Sequence, residues 1–349
     1  MASNERLLGI QFCRGIAASL VVLYHAGRIL AQPQYIGHLA FAGAFNFGNA
    51  GVDFFFVLSG FIIFFVHEKD IGRPSSLRSY VWSRLTRIYP IYWLVTAIAM
   101  ALLIGKHDTS SFGPAYLVAS LFLLPQPQEP ILQVGWTLVH EMLFYAAFAI
   151  AIVSRNGARA IAAIWLASVV LSAFITVKNP LLRVFLSPYH VQFAMGVMTA
   201  YAVRKWPLPF CGFAIAVGAA AFVGAAYVLD HDPGFYATPT CRWLLGLASS
   251  FVIYGVARGE MDGWLRTGPI SAFFGSASYS IYLIHAIAIG LIARTLAPSG
   301  AMTAAPNGAF LLIALLAIIC GALLYVVAER PMLRLAKAFG QGRRATPRA

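Results

Sequence analysis

Charge is scarce in this chain. Only 11% of its 349 residues are Asp, Glu, Lys or Arg, against roughly 25% in an average soluble domain, while 60% are hydrophobic. That balance excludes an ordinary soluble fold, and a mean hydropathy of +0.76 names lipid as the solvent. Acidic residues are rarest of all, 12 against 25 Lys and Arg, for a net charge of +13. The excess is spread over several short connections instead of one arm or patch, which excludes nucleic acid as a partner and matches the Lys/Arg bias of cytoplasmic loops. Cysteine is scarce too. Cys13, Cys211, Cys241 and Cys320 stand singly in or beside apolar runs, with no CxxC or His-Cys spacing, so neither a metal site nor a redox pair is expected. Also missing are a Walker loop, a dinucleotide fingerprint and the internal repeat of inverted-repeat transporters.

What the chain has in abundance is long apolar runs. A helix needs roughly 20 apolar residues to cross a hydrocarbon core of about 30 Å, and the runs between charges and Pro/Gly punctuation predict an all-α bundle of about ten spans. They fall near 7–30, 50–67, 88–105, 136–153, 160–177, 185–203, 208–229, 241–257, 275–297 and 308–328. The first run holds Arg14 and lacks a small-residue cleavage site, so it is expected to stay as a span and not leave as a signal peptide. Residues 116–124, closed by PQPQEP, are too few to cross and predict an interfacial or re-entrant segment.

Alternate connections carry unequal positive charge. One set, which includes Arg6, the cluster from Lys69 to Arg87 and the tail from Arg330 to Arg348, holds eighteen Lys and Arg. The other holds six: Arg28, Lys106, Lys178, Arg183, Arg242 and Arg294. This asymmetry predicts an even number of spans with both termini cytoplasmic. Residues 1–335 then form one transmembrane domain and 336–349 a short basic cytoplasmic tail, with no room for a separate soluble domain.

A charged side chain at membrane depth costs at least about 2.5 kcal/mol on insertion scales, so each one is a functional candidate. Arg14 and His25 are eleven residues apart in the first span, which returns them to within about 20° of one helix face and separates them by about 16 Å. Glu141, in WTLVHEMLFY, lies at a depth similar to His25 and could stabilise its imidazolium. His140 points about 100° away from it and is expected as a packed neighbour. Asp53, at the outer start of the second span, is a further candidate, with an N-cap as its plain alternative. Arg84 and Arg87 stand one turn apart before the third span, where they can clamp phosphates or anchor the helix beside the aromatic belt of Tyr80, Trp82, Tyr89, Tyr92 and Trp93. His285 reaches membrane depth in SASYSIYLIHAIAIGLIA.

Six segments in order, RGIAASLVVLYHA, GVDFFFVLSGFII, SRLTRIYPIYWL, WTLVHEMLFY, SYSIYLIH and AERP, resemble those of acyltransferase family 3, the integral-membrane acyltransferases that O-acylate bacterial exopolysaccharides, O-antigens, Nod factors and some antibiotics. The resemblance runs from Arg14 to Pro331. It implies His25 as catalytic base or acyl-handling group, Arg14 as its companion, Arg84 and Arg87 as holders of the donor, and Glu141 and Glu329 as further site residues. Its implied cosubstrate is acyl-CoA, acetyl-CoA being the expected form, with no permanently bound cofactor and no metal. The implied acceptor is a polysaccharide or lipid-linked sugar, at a bacterial inner membrane. His25 could deprotonate the acceptor hydroxyl or carry the acyl group itself. Outside the resemblance, a multi-pass transporter or flippase of a carbohydrate or small molecule is the competing class, with the buried charges as its pathway.

Overall fold

A computed structural model describes residues 7–105, 112–172, 179–231 and 233–342. Among these residues the chain is helical, with short 3-10 turns and no strand. The helices are α1 (Leu8–Leu30), α2 (Ala50–His67), α3 (Leu77–Ile104), α4 (Pro114–Leu121), α5 (Trp136–Val153), α6 (Arg155–Ser172), α7 (Pro180–Phe185), α8 (Tyr189–Lys205), α9 (Cys211–His231), α10 (Pro239–Met261), α11 (Pro269–Leu296), α12 (Ala301–Ala304), α13 (Pro306–Leu324) and α14 (Arg330–Gly342). Several expected features lie outside the described residues: the end of the 160–177 span, and Arg6, Lys106, Lys178, Arg343, Arg344 and Arg348.

The ten expected spans are not all met. Seven helices among the described residues, α1, α2, α3, α5, α10, α11 and α13, are long and apolar enough to cross a membrane. Helices also occupy the other three expected positions, but each falls short for a physical reason. α6 opens on Arg155 and Arg159. The described apolar stretch of α9 is only Cys211–Ala225. α8 has 17 residues, and it spends two of them on His190 and Gln192, which are 1% and 0% exposed. These two polar groups face protein and not lipid, so they lower hydropathy without breaking the fold.

The chain divides into two compact units, residues 1–68 with 188–322, and residues 69–187 with 323–349. In the first, α2, α8 and α10 run in one direction. Asp53 near the start of α2 meets Gln192 and Arg242 near the starts of α8 and α10, and Glu68 just past the end of α2 meets Arg204 at the end of α8. Leu58, Phe61, Val203, Ile253 and Val256 fill the space between them. α2 and α8 touch backbone to backbone: a Cβ on Gly196 would stand 1.9 Å from the Val57 carbonyl oxygen, an approach that only glycine allows. α1 and α11 also run in one direction, and they cross where a Cβ on Gly275 would stand 2.0 Å from the Gln11 carbonyl oxygen. That crossing lets α11 lie along α1 for its whole length.

In the second unit α3 carries Pro90 within 28 residues of helix, about 42 Å of rise against a hydrocarbon core of about 30 Å. The excess of about 12 Å equals roughly eight residues, so the first two turns, with Arg78 and Arg84, extend past what a crossing needs. The short expected segment is α4, eight residues long. Its last carbonyls, which no helix satisfies internally, accept from aromatic side chains of α3: Tyr92 Oη donates to Ser120 O at 2.6 Å, Trp93 Nε1 to Leu121 O at 2.9 Å and Tyr89 Oη to Phe122 O at 3.0 Å. The aromatic belt thus splits: Tyr80 and Tyr92 are buried, whereas Trp82 and Trp93 are exposed.

Candidate active site

In the first unit His25 and His285 meet across α1 and α11, with ring centroids 4.8 Å apart and planes at 66°. Each ring is fixed by its own helix. His25 Nδ1 lies 3.0 Å from the Val21 carbonyl oxygen, and His285 Nδ1 lies 2.6 Å from that of Tyr282. A carbonyl only accepts, so in each neutral ring Nδ1 carries the proton and Nε2 carries the lone pair. His285 is wholly buried, and its Nε2 has no hydrogen-bond partner among the described residues. Such an orphan acceptor costs about 1–3 kcal/mol. His25 is half-buried, with Tyr24 edge-on at 5.0 Å.

Arg14, half-buried on the same helix as His25, donates from Nη1 to Gln11 Oε1 at 2.9 Å. This is the residue whose backbone α11 approaches at Gly275, so Arg14 stands beside the crossing that brings His285 to His25.

Asp53 is not an N-cap. α2 begins at Ala50, and Asp53 sits in its first turn, wholly buried. Arg242 Nη1 reaches Asp53 Oδ2 at 3.0 Å and Oδ1 at 3.2 Å, Gln192 Nε2 donates to Oδ1 at 2.7 Å, and Tyr236 Oη donates to Oδ2 at 3.0 Å. The guanidinium lies 3.6 Å from the Tyr236 ring centroid and 5.1 Å from that of Tyr189. Every charge in this cluster is compensated, the condition under which an ion pair is tolerated in an apolar interior.

The second unit holds the remaining candidates. Tyr145 Oη donates a short hydrogen bond to Glu141 Oε1 one turn back on α5. The Arg84 guanidinium stands 5.8 Å from the Tyr145 ring centroid and 5.9 Å from that of Tyr80, and Tyr80 Oη donates to the Tyr145 carbonyl at 3.1 Å. Glu141 and Arg84, two separate candidates in the sequence, are thus gathered around one tyrosine, with Arg87 one turn further along α3. His140 turns away, its Nδ1 3.1 Å from the Trp136 carbonyl oxygen and its ring edge-on to Trp136. Glu329 closes a five-residue π-turn, Tyr325–Glu329, and is 1% exposed. The expected meeting of His25 with Glu141 would join residues of different units. Among the described residues no group of His, Cys, Asp and Glu is arranged to hold a metal ion.

The family model described as an acyltransferase domain, that of acyltransferase family 3, matches residues 7–326. The chain belongs to this family. Three curated relatives of this acyltransferase match over most of their length. The exopolysaccharide production protein ExoZ of Rhizobium meliloti (strain 1021) is 30% identical over 84% of this chain and 92% of its own. The acyltransferase MdmB of Streptomyces mycarofaciens is 26% identical over 95% and 92%. The putative membrane-bound transacylase BcsY of Komagataeibacter xylinus is 26% identical over 81% and 72%. No solved structure matches. The acyltransferase is therefore a multi-pass membrane enzyme by family and by its apolar helices.

Sequence reasoning missed Arg242, Tyr236, Gln192 and Tyr145 in this acyltransferase. Arg242 entered only as one of the six outer cations, although a buried Asp53 at similar depth demands a partner. Tyr145 follows Glu141 at i+4, the spacing that places two side chains on one helix face.

Proposed function

We propose that this acyltransferase moves an acyl group, acetyl being the expected one, from acyl-CoA to a hydroxyl of a bacterial surface carbohydrate such as an exopolysaccharide, at the inner membrane. The observation that carries the reading is the His25–His285 pair: two imidazoles in contact, both with Nδ1 committed to backbone and both with Nε2 as an acceptor. Two acceptors cannot bond to each other. A hydroxyl donor is the group that such a pair lacks, and the acceptor sugar brings one. His25, the less buried ring, takes the hydroxyl proton as the acyl carbon–sulfur bond breaks and returns it to the departing thiolate, or first takes the acyl group on Nε2 as the thiolate leaves and then yields it to the sugar oxygen, whose proton passes to the thiolate. Arg14 holds α1 at its crossing with α11, and His285 fixes the orientation of His25.

The donor's phosphates call for cations, and Arg84 and Arg87 supply them. Tyr145, held by Glu141, presents its ring to Arg84 and restrains the guanidinium. Asp53 and Arg242 act as a structural clamp for α2, α8 and α10, and Glu329 is a further site candidate in the π-turn that follows α13. The names of ExoZ and BcsY, an exopolysaccharide production protein and a membrane-bound transacylase, support this acceptor and reaction class.

The test is mass spectrometry of the host's surface polysaccharide with the protein present, absent, or replaced by His25→Ala at verified membrane abundance. Loss of one acyl mass per repeat in the last two supports the proposal. Unchanged acylation overturns it, and altered export of an unmodified glycan gives the transporter reading the better claim.

A further inference from the structure

α14 has two opposed faces. Met332, Leu335, Ala336 and Phe339 follow the i, i+3, i+4, i+7 spacing of one helix side, and Arg330, Arg334 and Lys337 fall on the other, about 180° around. Leu335 and Phe339 are 61% and 69% exposed. The three cations are exposed as well. From Arg330 to the end of the chain there are six Lys and Arg and no acid. The helix is held at a defined level. Trp82 Nε1 donates to the Ala336 carbonyl at 3.3 Å, and Trp82 belongs to the charged lead of α3, which extends past what a crossing needs. Trp82 is itself 43% exposed, so apolar surface from two helices faces outward at that level.

We propose that α14 lies on the surface of an anionic phospholipid bilayer, with Leu335 and Phe339 seated among the upper acyl chains and Arg330, Arg334 and Lys337 turned to the headgroups. An apolar stripe opposite a basic face is the pattern of an interfacial helix, and a tryptophan at its side is the residue enriched at that depth. The π-turn Tyr325–Glu329 and Pro331 mark the join of α13 and α14, where the regular hydrogen-bond ladder changes. Charge complementarity selects the lipid. Each cation near an anionic surface strengthens attachment roughly fivefold, so removing all three weakens it on the order of 100-fold. Nothing in this depends on the acyl-transfer chemistry.

The experiment uses the full chain in nanodiscs of phosphatidylcholine alone or of phosphatidylcholine with phosphatidylglycerol. Cys320, the exposed cysteine, is replaced by Ser, and a nitroxide is placed at Phe339→Cys, with Leu335→Cys as a second position. In phosphatidylglycerol discs the label should be relaxed by membrane-dissolved oxygen and shielded from a water-soluble nickel complex. In phosphatidylcholine, or when Arg330, Arg334 and Lys337 are changed to Gln, the balance should move towards nickel. Equal nickel access in both lipids overturns the proposal. So does shielding from both reagents, which would mean that a protein surface, such as a second copy, covers the helix.

Discussion

His285 touches His25 with a ring whose Nε2 is buried and has no hydrogen-bond partner among the described residues. An acceptor left in this state is maintained against a cost of about 1–3 kcal/mol, and its neighbour, His25, is half-buried. The two rings come from helices at opposite ends of the chain, and their contact depends on the close approach at Gly275.

His285→Ala is expected to lower acyl transfer about 100-fold, the size of effect that misplacing a catalytic group produces, since His25 loses the ring that orients it, while the protein keeps its abundance in the membrane. His285→Gln, whose amide oxygen can accept where Nε2 did, should recover part of the turnover number at unchanged donor KM. A packing role alone would give the two variants the same defect. The measurement is radiolabelled acyl incorporation by purified protein, and wild-type turnover in His285→Ala would remove the residue from the mechanism.

Tyr145→Phe and Glu141→Gln should weaken the reaction by similar factors, about 10- to 100-fold, the worth of one hydrogen bond to a charged group. Because the two side chains form a single bond, the double variant should be little worse than either single one. Full additivity in steady-state kinetics would show that Glu141 acts elsewhere.

Replacing Arg84 and Arg87 together by Ala should raise the acyl-CoA KM at least tenfold with a smaller change in turnover number. Donor titration of protein in detergent reads this directly. A fall in turnover number at constant KM would assign the pair to a later step.

For the clamp around Asp53, Arg242→Leu is expected to destabilise by about 3–5 kcal/mol, since it leaves a buried carboxylate without its cation. Combining it with Asp53→Leu should restore much of the loss. Thermal unfolding in detergent, read together with turnover, distinguishes the two roles: a clamp gives a double variant that is stable and active, a catalytic pair one that is stable and inactive.

How much of this was legible beforehand depends on the length scale of the signal. Hydropathy placed a helix in each expected run because the lipid requirement is local to about 20 residues. His25, Glu141 and Asp53 stood out because charge or imidazole at depth is rare. Pairings were not legible. Nothing near His25 in sequence points to His285, and the glycine that permits their contact reads like many other small residues in apolar helices. Asp53 seemed an N-cap because it stands near a helix start, and only the third dimension shows three donors converging on it. Of the ten expected runs, all hold a helix but only seven are long and apolar enough to count as spans by length and composition; α8 misses because His190 and Gln192 face protein, and average hydropathy cannot distinguish that face from one that meets lipid.

The Asp53–Arg242 pair also sets an order of events during synthesis. The partners are 189 residues apart, so at about 5–20 residues per second α2 waits roughly 10 to 40 s before α10 emerges. During that interval its carboxyl has no cation, a state that costs at least about 2.5 kcal/mol at membrane depth. A nascent chain that stops before α10 therefore carries a buried acid in an otherwise apolar helix without the cation that it meets in the folded protein.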